Sequence, residues 1–136
     1  LAEFDFPAVP PIFLEPETTS LRYDLSPHPR REGLAVLRVW IGDLPKTWSL
    51  ALRPWPEGPL RRLALQVPDG QDEPFGAWTE GELALRSVDD ADPRDRALRG
   101  MANGSLAFRA VDGLLAGEGS LRRIQDDLWL LQWHPA

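Results

Sequence analysis

The sequence predicts an all-β domain, an antiparallel β-sandwich or small meander barrel of about eight strands, with one short helix and an extended Pro-rich N-terminal arm. Three observations lead there. Short stretches of alternating polar and apolar residues recur from Leu34 to the C-terminus, Gly, Pro, Asn and Asp clusters separate them, and a full helix-start signal occurs once, at Asp92-Pro93.

Residues 1–33 hold six of the 14 prolines: Pro7, Pro10, Pro11, Pro16, Pro27 and Pro29. Proline removes a backbone donor and biases its neighbours toward extended geometry, so this segment reads as an arm. Its Phe4, Phe6, Val9, Ile12, Phe13 and Leu14 are too many apolar side chains for a solvated linker. The arm is therefore expected to lie along a surface, its own domain's or a neighbour's, with a short edge strand around Leu21–Leu25 joining the main sheet.

Residues 34–136 read as a single antiparallel β-domain. The run Leu34–Ile41 is apolar on both faces apart from Arg38, which predicts a central strand covered on both sides. Gly42-Asp43-Leu44-Pro45 reads as a turn, and Thr47–Arg53 as a strand with Trp48, Leu50 and Leu52 on one face. In Leu60–Val67, Leu63, Leu65 and Val67 alternate with Arg62, Ala64 and Gln66, the pattern of a half-buried strand with its apolar face to the core. Residues 68–82 are loop-like, and Glu82–Val88 alternates again around Leu83 and Leu85. Asp92 as N-cap, Pro93 at the first helical position, Asp95 in the first turn and Gly100 past the end predict a helix over Pro93–Arg99. Asn103-Gly104 and Asp112-Gly113 suit tight type I′ turns on either side of a strand Ser105–Val111. Gly117 and Gly119 mark a bulge or a close backbone approach before Leu121–Ile124, and Leu128–Trp133 closes the domain.

Composition narrows the function classes. The 136 residues carry 15 Lys and Arg against 21 Asp and Glu, a net charge of −6, so nothing draws the chain as a whole to nucleic acid or anionic lipid. No apolar run approaches the ~20 residues of a membrane-spanning helix. Without cysteine, disulfides and thiolate metal sites are excluded. The first residue is Leu1 and the single methionine, Met101, is internal, which reads as a processed product or an excised piece. Charge is also uneven: residues 34–67 hold five basic and two acidic side chains, residues 68–99 four and nine.

Residues for catalysis are sparse. His28 lies between prolines and His134 two residues from the end, neither on an element that orients a base. No nucleophile elbow or phosphate-cradling glycine motif is present. Glu80 and Glu82 share a strand face, and they are the slender basis for a small hydrolase. Asp89, Asp90, Asp92 and Asp95 form the one acidic cluster with metal-ligand character, a weak one, because helix capping and solvation account for it. No cofactor is expected.

The tryptophans divide by position. Trp48, Trp129 and Trp133 fall on apolar faces and are expected in the core. Trp55, between two prolines, and Trp78, after Gly76-Ala77, lie in turns, while Trp40 shares a strand face with Arg38 and, where that face is open, would form with it a flat stacking surface. The leading expectation is a non-catalytic structural or assembly module of an envelope, extracellular or particle-surface complex, held to a protein partner or to its own copies through Phe4, Phe6, Ile12 and Phe13 of the arm. A carbohydrate- or peptide-binding module using Trp55, Trp78, Trp40 and Arg38 is the alternative, and a hydrolase ranks third.

Overall fold

The computed structural model of the chain describes residues 21–51, 59–68, 76–85 and 92–136. In them, eight strands and one helix follow one another: β1 (Leu21–Pro27), β2 (Leu34–Ile41), β3 (Leu44–Ala51), β4 (Leu60–Val67), β5 (Thr79–Leu85), α1 (Pro93–Asn103), β6 (Ser105–Ala110), β7 (Gly117–Gln125) and β8 (Leu128–Pro135). All neighbours pair antiparallel, and the ring β1-β2-β3-β4-β8-β7-β6-β5 closes when β5 returns to β1. The chain thus folds as two four-strand meanders joined at both edges into a barrel, rather than as two packed sheets. Closure gives every described strand a partner on each side. β1 is longer than its sequence signal and is paired on both sides, by β2 and by β5.

The interior follows the period of two. Registers Leu21↔Ile41, Tyr23↔Val39 and Leu25↔Leu37 bring inward residues of β1 and β2 together, and Trp48, Leu50, Leu106, Phe108, Leu121, Trp129, Leu131 and Trp133 complete one continuous core. Trp48 and Trp129 meet edge to face, 5.4 Å between centroids, as expected of core tryptophans. Each end of the barrel is stopped. Ala97 and Met101 of α1 close the mouth where β1 begins, and Leu115, from the β6–β7 connection, closes the other. Phe108 sits directly over Gly119, the close approach that this glycine signalled.

Several elements differ from their sequence signals for identifiable reasons. α1 starts as expected, with Asp92 accepting from the Arg94 amide, but runs through Gly100 to Asn103. Gly100 belongs inside the helix because a side chain there would strike the Ser105 carbonyl, while Gly104, at φ 78, supplies the left-handed cap. Asn103-Gly104 is accordingly a helix terminus and not a hairpin turn. The Asp112-Gly113 pair lies within a longer β6–β7 connection, where Gly113 has φ 84. β3 begins at Leu44 and contains Pro45, which is tolerated because β4 pairs with β3 only from Thr47 onward. The irregularity in β7 falls between Arg123 and Gln125.

The largest difference is the orientation of β4. Register Leu50↔Ala64↔Trp129 points Ala64, fully buried, into the barrel, so Leu63 and Leu65 point outward and are 57% and 52% exposed. Two tryptophans already fill the interior beside this strand, and a small residue between bulky neighbours meets the volume available. On the opposite side of the wall, Val36 of β2 also points outward, yet it is fully buried and separate from the core cluster. β2 is therefore buried on both faces at Ala35–Leu37, while its outward Arg38 and Trp40 remain partly exposed.

Candidate functional site

The outer face of β1 and β2 gathers the most concentrated side-chain chemistry among the described residues. Alternation sends Arg22 and Asp24 outward from β1, and Arg38 and Trp40 outward from β2. Their registers, Arg22↔Trp40 and Asp24↔Arg38, make the four into one cluster. Asp24 divides its oxygens: Oδ1 accepts from Arg38 Nε at 2.8 Å, and Oδ2 accepts from the Trp40 indole N–H at 2.8 Å. The guanidinium carbons of Arg22 and Arg38 lie 4.8 Å and 5.2 Å from the Trp40 ring centroid. One carboxylate thereby fixes both the cation and the ring that the cation flanks.

Charge is unequal within this cluster. Asp24, 8% exposed, is committed to Arg38 and Trp40, whereas exposed Arg22 has the Trp40 ring and no carboxylate partner among the described residues. Glu82 and Glu80 stand across from Arg22 and Asp24 on β5, on the outside of the wall and away from the enclosed interior. The arrangement presents an aromatic ring flanked by two cations, with the exposed Glu82 and Glu80 on the adjacent strand, so the patch as a whole carries no excess of positive charge.

Trp78 lies elsewhere. It sits just before β5 at the mouth where β1 ends, 41% exposed, with its backbone N–H donating to the Leu25 carbonyl at 2.8 Å. With the β1–β2 hairpin it lines a cleft of about 320 Å³ that includes Pro27, His28, Arg30 and Arg31. His28 Nδ1 accepts from the amides of Arg30 at 3.0 Å and Arg31 at 3.1 Å, which holds the hairpin in shape and gives this histidine a structural task. Trp40 stands near the other end of its strand, so the two tryptophans do not converge on one ligand. Trp55, the arm residues Phe4, Phe6, Ile12 and Phe13, and Asp89 and Asp90 lie outside the described residues. Asp92 caps α1 and Asp95 lies in its first turn, and no group of three metal-binding side chains occurs among the described residues.

The barrel's lower closure centres on Tyr23, a residue the sequence offered no reason to single out beyond its being the one tyrosine. Its hydroxyl donates to the Asp112 carbonyl at 2.9 Å and accepts from the Leu115 amide at 3.0 Å. Thr79 Oγ1 accepts from Leu114 N–H and Asp112 Oδ1 from Glu82 N–H, while the Leu115 carbonyl receives the Trp133 indole N–H at 2.8 Å. Burial pushes the Tyr23 hydroxyl pKa above its ordinary value. The Leu115 hydrogen bond opposes that rise, the Asp112 charge adds to it, and the Thr79 hydrogen bond opposes it.

No family model matches the chain, and no curated protein matches it.

Proposed function

We propose that this chain is a non-catalytic structural or assembly module of an envelope, extracellular or particle-surface complex, associating through its N-terminal arm. The observation that carries the reading is a barrel interior occupied from Met101 at one end to Leu115 at the other by one packed core, which leaves the outer wall to do the work. Association with an arm suits such a wall. A closed barrel offers no strand edge to extend, so a partner must be held by side chains lying on its surface. The outer face of β1 and β2, where Ser26 and Val36 have no exposure, has the character of a covered surface. Phe4, Phe6, Ile12 and Phe13 would contribute roughly 1.5–3 kcal/mol each on burial.

The test is the mass of the full chain by light scattering beside a variant with Phe4, Phe6, Ile12 and Phe13 changed to Ser. A lower mass for the variant supports association through the arm; a native chain that stays monomeric at high concentration refutes it.

A second reading, a peptide- or carbohydrate-binding module, rests on the Trp78 cleft, where an exposed indole stands beside Arg30 and Arg31. Under this reading Trp78→Ala abolishes binding found by glycan and peptide array screening while leaving the melting temperature unchanged. An array on which the native chain binds nothing removes it.

A further inference from the structure

The outward orientation of β4 creates a surface that neither the arm nor the Trp78 cleft explains. Register Leu63↔Leu130 and Leu65↔Leu128 sets four leucines in two cross-strand pairs on the outside of β4 and β8. Val67, half-buried at the end of β4, extends the patch along that strand. Two neighbouring strands thus present an apolar strip to water, bordered on the β7 side by the exposed Arg122 and Gln125, where the outer face of a barrel ordinarily alternates to polar residues.

The ends of this strip are oppositely charged. Arg61 lies one outward step beyond Leu63 toward the mouth where β4 begins, and Asp126 and Asp127 form the β7–β8 turn at the other end. Asp127 is fixed beside the top of β4 by its carbonyl, which accepts from the Gln66 amide at 2.8 Å. Arg61, Asp126 and Asp127 are exposed and have no ion-pair partner among the described residues.

We infer that this strip docks a second copy of the chain about a two-fold axis lying in the interface and across the strands. Such an axis reverses the strand direction of the partner, so leucines meet leucines at the centre and the Arg61 end of each copy faces the Asp126–Asp127 end of the other. A basic end, an apolar middle and an acidic end make a self-complementary surface, the requirement of an isologous dimer. The acidic arm would satisfy the basic end alone and leave Asp126 and Asp127 facing like charge, which is why a second copy is the better occupant.

Sedimentation of the full chain tests this, and two-fold symmetry sharpens the test because every substitution acts twice in one interface. Leu63→Gln with Leu65→Gln weakens dimerisation by roughly a hundredfold or more, with an unchanged far-ultraviolet spectrum, since both residues are outside the core. Arg61→Asp weakens it by about tenfold by setting like charges opposite one another. Adding Asp126→Arg and Asp127→Arg to Arg61→Asp restores the dimer, a rescue that only direct opposition of the two ends produces. Retention of the dimer by the double-leucine variant, failure of the rescue, or a native chain that sediments as a monomer at about millimolar concentration would each overturn the inference. Changing Phe4, Phe6, Ile12 and Phe13 to Ser leaves this dimer intact; dissociation there, with the leucine variant still dimeric, assigns the contact to the arm and also overturns it.

Discussion

The two outer faces of the barrel use the same alternation to opposite ends. On β1 and β2, outward residues are consumed by contacts: Asp24 holds Arg38 and Trp40, and Val36 is wholly buried. On β4 and β8 four of the outward residues, Leu63, Leu65, Leu128 and Leu130, are leucines that touch water. The contrast teaches that period two reports which residues share a face, and that the volume available inside decides which face turns inward. Ala64 faces inward because Trp48 and Trp129 have taken the room on either side.

The contrast breaks most visibly within a single strand pair. Trp129→Ala removes an indole from beneath β4 and β8 and is expected to cost about 3–5 kcal/mol in chemical denaturation. If that variant unfolds at the native denaturant midpoint, the inward register of β8 is wrong. Asp24→Ala is the corresponding loss on the covered face, stranding the Arg38 guanidinium and the Trp40 N–H together, with an expected cost of about 2–3 kcal/mol, lowered from the fully buried case because Arg38 is partly solvated. A change within measurement error would mean that solvent satisfies both groups.

Tyr23 sharpens the same side of the barrel by its pH dependence. Tyr23→Phe leaves the Leu115 amide and the Asp112 carbonyl short of a partner, an expected loss of about 1–2 kcal/mol at neutral pH. Because the folded pKa is raised, the unfolded chain releases the phenolic proton first. Stability from this group is therefore complete below about pH 10 and falls as pH climbs through the higher folded value. Denaturation midpoints measured from pH 8 upward should show the alkaline decline shrinking in the Phe variant; an identical decline places its origin elsewhere. The smallest effect belongs to the exposed face: Leu65→Ala should change the stability of the dilute chain by less than about 0.5 kcal/mol. A loss near that of a core leucine would show Leu65 to be buried after all.

Much of the architecture was legible because local signals and tertiary context agreed. Leu34–Ile41 and Leu60–Val67 are strands at their expected bounds, and the Asp92-Pro93 start of α1 is where capping chemistry places it. Disagreement arose where a residue answered to a neighbour outside its own short pattern. Gly100 reads locally as a stop but makes room for the Ser105 carbonyl, and Gly104 reads as half of a hairpin turn but caps a helix. The Trp40–Arg38 pairing was visible from their spacing on one strand. Asp24 and Arg22, which organise it, come from β1 and needed the register to be found. The inverted face of β4 was illegible for the same reason, since nothing within Leu60–Val67 records the bulk of Trp129.

The two seams that close the ring govern how the chain reaches its native state. Leu21 must find Leu83, and Leu60 must find Trp133, whereas each remaining strand pair forms with a close neighbour in sequence. Loop-closure entropy opposes both seams until the meanders they join exist, so each half is expected to assemble early and the ring to shut late. Until it shuts, β1, β4, β5 and β8 each carry a naked ladder, and a nascent chain is most exposed to mispairing with its neighbours at that stage.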